Sequence, residues 1–344
     1  MYPLTWTIVV SVALLSVLEP VQARRPTNVG TNDLAFLEPW FNVEKQDRDT
    51  LAQRGVVVHS LPASNKQISI VATCAVDISP DEVVARVSAL GYEKRDELVS
   101  VRFSEPPTAA DLAPLTLDQG DIDRLRACRP GKCALNVGDH EMSAMHLALT
   151  QHPESAADVH TAFRQMILAR LAQYRSGGLA ALPEYHDRSD PVQPAAVFSD
   201  ILQQIPYLRV HLPGVAEYLK LFPFTDTTRA ATSLHWSKVI VNNKPLVVIT
   251  HLATFQPEPG PRVPTVLTVS KTVYASRYLD GELTLWMLFA PGDAPSYFVY
   301  VTRSELDTLG GTFSNLKRTA IEGRMKEAAA GALVSLRDRL ERRP

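Results

Sequence analysis

A histidine, a lysine and two arginines fall among apolar residues on what read as β-strands in the C-terminal half of this chain. His251 shares an alternating face with Val247, Ile249, Ala253 and Phe255. Lys271 and Arg277 alternate with Leu267, Val269, Val273 and Ala275, and Arg303 follows Tyr297, Val299 and Val301. An ionisable group is costly to bury without a partner. These side chains are therefore solvated, paired with acids such as Asp280, Glu282 or Glu305, or kept for a ligand with an apolar body and a polar head. An enzyme would use the same set differently. His251 would move protons while Lys271 or Arg303 polarised a carbonyl or phosphate. Tyr274, Tyr278, Trp236 and Trp286 fall on the opposite faces by the same alternation, and Tyr274 and Trp286 join the candidate ligand contacts.

The cysteines carry a second chemistry. In Cys128-Arg-Pro-Gly-Lys-Cys133, Pro130-Gly131 suit the centre of a type II turn, because proline fixes the first φ and glycine permits a positive second φ. Such a turn brings Cys128 and Cys133 together as a disulfide pinning a small loop. Cys74 falls on an apolar strand face and reads as a buried free thiol. Zinc is the competing use of Cys128 and Cys133 with His140 and His146, but the spacing matches no finger pattern. His140-Glu141 and His146 also miss the zinc-protease spacing, which needs histidines one helical turn apart. Asp111, Asp118, Asp121 and Asp123 lack the order of a calcium loop and read as helix caps and exposed acids. There is no nucleophile elbow, no phosphate-cradling loop and no dinucleotide fingerprint. Neither a metal nor a cofactor is expected.

These residues need a scaffold, and the alternation supplies one. Strands are expected within Trp236–Ile240, Pro245–Gln256, Thr265–Tyr278, Leu283–Ala290 and Ser296–Arg303, with turns at Asn242-Asn243-Lys244, Asp280-Gly281 and Pro291-Gly292-Asp293. Earlier strands are expected at Val56–Val58, at Gln67–Val76 and at Leu98–Phe103. Ser79-Pro80-Asp81-Glu82 is a helix start. From about residue 106 to 229 the pattern is mostly helical, with Phe163, Ile167, Leu171 and Tyr174 on one face. A long helix, 312–340, closes the chain; its stripe through Phe313, Leu316, Ala320, Leu333, Leu336 and Leu340 is interrupted by glycines and alanines.

Thr7–Leu18 is apolar and too short to span a bilayer comfortably, and Val21-Gln22-Ala23 offers the small residues of a signal cleavage site. The expectation is export to the periplasm or beyond, with residues 1–23 removed, a leader segment 24–55 and a single domain 56–344. No stable membrane span remains after processing. A formal net charge of -2 gives nucleic acid no field to follow.

The order of elements resembles the START-like helix-grip superfamily: an early strand at Gln67–Val76, a helix from Ser79, a returning antiparallel sheet and a long final helix. The resemblance covers about residues 56–105 and 230–344, and the helical region between would be an insertion. It implies an α+β fold whose antiparallel curved sheet grips the C-terminal helix over an apolar cavity. It further implies a partner that is a hydrophobic small molecule or lipid, with cyclase-like chemistry as the enzymatic alternative. The inserted helices could instead seat an envelope protein.

Overall fold

Runs of β-branched and aromatic residues, broken by turn formers, assemble into one eight-stranded antiparallel sheet. The computed structural model describes residues 34–64, 66–77, 82, 98–151, 156–241, 244–290, 295–309 and 314–341. The expected signal segment and all but one residue of the helix starting at Ser79 lie outside them. The strands are β1 (Val56–Ser60), β2 (Gln67–Val76), β3 (Leu98–Arg102), β4 (Ala231–Val241), β5 (Lys244–Phe255), β6 (Val266–Ala275), β7 (Leu279–Phe289) and β8 (Ser296–Leu306). Their spatial order is β1-β2-β8-β7-β6-β5-β4-β3. The early β1–β2 hairpin thus joins the late strands through β8, with Ile70 opposite Thr302 and Cys74 opposite Phe298.

Alternation sends each strand's side chains to two different covers. On one face Val247, Ile249, Ala253, Leu267, Val269, Leu283, Leu285, Val299 and Val301 share a core with the inserted helices. Those helices are α2 (Gln119–Ala127), α3 (Asp139–Gln151), α4 (Ala156–Gly177), α5 (Pro194–Gln203), α6 (Pro206–His211) and α7 (Pro213–Leu221), preceded in the chain by α1 (Lys45–Ala52). Proline at the first turn starts α5, α6 and α7, where its missing N–H costs nothing. On the other face Ala72, Cys74, Val76, Val266, Leu288, Phe298 and Tyr300 pack with α8 (Ser314–Glu341). The α+β architecture is as the sequence predicts.

Four local expectations need correction. Asp280-Gly281, expected as a turn, lies within β7, and the chain bends at residues 276–278 instead. The α8 stripe runs through Ile321, Met325, Ala329, Leu333, Leu336 and Leu340, and Leu316 is 74% exposed. The alanines are where α8 meets the sheet, whereas a Cβ added at Gly323 or Gly331 would meet nothing within 4 Å. Asp121 is not an exposed acid: it is buried and ion-paired with Arg277 and Arg124, while Asp118 caps α2 as expected. The segment before β1 is part of the core, with the Phe36 ring stacked 4.6 Å from that of Phe289.

The disulfide Cys128–Cys133 is formed, and Gly131 takes the positive φ of 77° that the turn requires. The turn's backbone is tied down as Gly131 N–H donates to His186 O and Cys133 N–H to Asp187 O, both at 2.7 Å. Cys74 is buried under α8, and burial pushes its thiol up to about 12, which keeps it protonated.

Helix α5 crosses β7 closely because Gly281 has no side chain. A Cβ there would meet Val197 Cγ1 at 2.8 Å and Ile201 Cδ1 at 3.3 Å. Valine on a helix has one strongly preferred rotamer and cannot yield cheaply. Gly281→Ala should destabilise the protein by about 1–3 kcal/mol in urea unfolding. In a double-mutant cycle, Val197→Ala should recover part of that loss.

Candidate functional site

Cross-strand register places the predicted residues. His251 on β5 pairs with Lys271 on β6, Lys271 with Leu283 on β7, and Leu283 with Arg303 on β8. The four form one row on the face covered by the inserted helices. Strands lie about 4.8 Å apart, so the Lys271 and Arg303 backbones are separated by roughly 10 Å. His251, Lys271 and Arg303 are 3%, 2% and 4% exposed.

At Lys271 the helices supply rings rather than acids. Its Nζ lies 4.9 Å from the ring centre of Tyr174 on α4, 4.9 Å from that of Phe198 on α5 and 5.5 Å from that of Phe222 just after α7. Among the described residues it has no hydrogen-bond acceptor and no carboxylate partner. Burial pushes its pKa down to about 7 from the ordinary 10.5. Beside it the Nδ1 of His251 shares a 2.7 Å hydrogen bond with Tyr174 Oη. Burial, and then the neighbouring Lys271, hold His251 well below the usual imidazole range, so its ring is neutral. Burial also raises Tyr174, which keeps its hydroxyl proton. Tyr218 of α7 completes the box, its ring 6.4 Å from His251 and 5.8 Å from Phe222. Its buried Oη has no partner among the described residues.

The box has one thin wall. Phe222 touches His251 with ring centres 4.5 Å apart, yet it is only half-buried. Its neighbours Leu221 and Phe224 are 40% and 75% exposed, an apolar rim at the surface.

Arg303 is satisfied differently. Its guanidinium donates to Gln67 Oε1, to Gln204 Oε1 at the end of α5 and to Pro62 O at 2.8–3.2 Å, all neutral acceptors. Burial lowers its pKa to about 10. The acids offered by the sequence as partners are engaged elsewhere. Asp280 receives two bonds from Arg188, Glu282 accepts from Ser304 and Glu305 accepts from Gln67.

The other predicted contacts are not brought to this box. Arg277 is ion-paired with Asp121, both 3% exposed by side chain. Trp286 lies on the α8 face, edge-on to Tyr300 at 4.6 Å. Tyr274 does not take the opposite face as alternation predicts. Val273 is an extra residue between the pairs Ile249–Tyr274 and Thr250–Thr272, and this bulge brings Tyr274 to the helix-covered face. There Arg170 of α4 sits 4.5 Å over Tyr274 and 5.1 Å over Tyr185 while making a bidentate pair with Glu141. Trp236 also packs on this face, its indole donating to Asp111 O. The histidines weighed for zinc are not joined to the cysteines: the thiols are bonded to each other, and His146 bonds Leu125 O.

Tyr174, Phe198, Tyr218 and Phe222 were missed as partners of the row. For Tyr174 a signal existed. It ends the Phe163-Ile167-Leu171 stripe, and a tyrosine on a buried stripe needs a partner for its hydroxyl. Phe198, Tyr218 and Phe222 carry no such mark.

Unfolding hydrates the Lys271 amine. Between pH 10.5 and about 7 the unfolded chain therefore binds a proton that the folded chain does not, and stability from this group falls as pH drops through that window. Lys271→Met should stabilise the protein at pH 7 by a few kcal/mol, and the gain should shrink toward pH 10. Denaturant melts of both proteins across this range measure the effect.

Compared with known proteins, the chain matches no protein-family model, no curated protein and no solved structure.

Proposed function

We propose that this chain binds an apolar molecule on the helix-covered face of its sheet, with the molecule's polar head at Lys271, Tyr218 and the His251–Tyr174 pair. The observation that supports it is the Lys271 amine, buried among rings with no acceptor of its own among the described residues. A buried amine in that condition destabilises the fold. Retaining one is reasonable where a ligand oxygen completes its bonding. The rings of Tyr174, Phe198 and Phe222 would meet the apolar body, and the exposed Leu221 and Phe224 beside Phe222 lie at the surface.

Export belongs to the same proposal. It is supported by the apolar run Thr7–Leu18 and the small residues before Arg24, and a disulfide suits an oxidising compartment. So does the helix-grip relationship, supported by β8 lying beside β2 and by α8 packing on the sheet. The proposed site departs from what that resemblance implies, because α8 covers the opposite face from Lys271.

The test is displacement of a lipophilic fluorescent probe by long-chain alcohols and carboxylates. Saturable displacement is expected. Lys271→Met should weaken the carboxylates tenfold or more, the loss of one charge-assisted hydrogen bond. Absence of saturable displacement by any of these compounds would exclude the reading.

A further inference from the structure

Resting on the binding site proposed above, we infer that Lys271 forms a reversible imine with the carbonyl carbon of an apolar aldehyde or ketone held in the aromatic box. The first ground is a contrast within the fold. Four lysine and arginine side chains, Arg170, Lys271, Arg277 and Arg303, are buried among the described residues. Arg170 is paired with Glu141 and Arg277 with Asp121, and Arg303 is held by neutral oxygens. Of these four, Lys271 alone has neither anion nor acceptor among the described residues. It is also the one member of the set whose neutral form is an amine nucleophile.

The surroundings suit the chemistry. Burial pushes this amine down to about 7, so a large share is unprotonated at neutral pH, whereas an exposed lysine is almost wholly ammonium. The lone pair of Nζ forms a bond to the carbonyl carbon while the carbonyl π pair moves to oxygen, which takes a proton. The resulting carbinolamine loses its oxygen as water as the C=N bond forms. One amine and one carbonyl compound give one imine and one water, with no change of oxidation state. Neutral His251, bonded to Tyr174, can relay the protons, and the Tyr218 hydroxyl beside His251 has no partner among the described residues. A protonated imine would inherit the Tyr174 and Phe198 rings that now face Nζ, a cation–π setting. Phe222 is the half-buried ring standing between this amine and the exposed rim.

The experiment incubates the full chain at pH 7 with a long-chain aldehyde and cyanoborohydride, then reads intact mass and the modified peptide. One alkyl chain per molecule is expected on Lys271, at a rate on the order of a thousandfold above an exposed lysine, the ratio of unprotonated amine. Between pH 7 and 9 the Lys271 rate should change little, while surface labelling rises about tenfold per pH unit. Lys271→Met should lose the adduct. Labelling spread over surface lysines, and unchanged in Lys271→Met, overturns the inference. So does an unlabelled protein that still binds the matching alcohol, and in that case the binding reading stands. If the alcohol does not bind either, both readings fall.

Discussion

Register between neighbouring strands is the constraint on which the rest of this structure depends. In antiparallel pairing, a slip of one residue sends every side chain to the other face. A slip on β6 alone would turn Lys271 to the other face, away from Tyr174, Phe198 and Phe222. The register is held because both faces are buried and differently filled. Leu283, Leu285 and Met287 belong to the inserted helices' side, and Trp286 and Leu288 to the α8 side. The same pairing that buries the leucines aligns His251, Lys271 and Arg303 in one row.

Each buried cation then receives a different solution, and the differences organise the helical layer. Arg170 is clamped by Glu141 and flanked by Tyr185 and Tyr274, which fixes α3, α4 and the sheet to one another. Arg277 pins α2 through Asp121, and Arg303 meets the end of α5 at Gln204. These are structural ties, strong because each charge finds hydrogen-bond partners in a region of low dielectric. Among the described residues, the groups at the Lys271 amine are the π faces of Tyr174, Phe198 and Phe222. Among the described residues the fold thus separates three braced arginines from a lysine set among rings.

Strand faces on β5 and β8 were legible from alternation, as were the long final helix and the Cys128–Cys133 turn. Alternation failed on β6 where Val273 adds a residue, because a bulge changes the phase of every later side chain without any mark in composition. The faces also could not say which layer covers which side. The row sits beneath the inserted helices, while α8 lies on the other face along β1 and β2. Phe198, Tyr218 and Phe222 are ordinary core aromatics to a sequence reader, because what distinguishes them is a lysine on another element. The α8 stripe was obscured by Gly323 and Gly331, which lie on its open side and do not interrupt Ile321, Met325 and Ala329.

Phe222 has a consequence of its own. A rotation of that ring large enough to admit a guest would also admit solvent to the nitrogen behind it. Hydration would restore the amine's appetite for a proton, and reclosure would strip it away again. Entry and ionisation would then be one event: the open pocket greets a visitor as a cation, and the shut pocket holds it beside a neutral base.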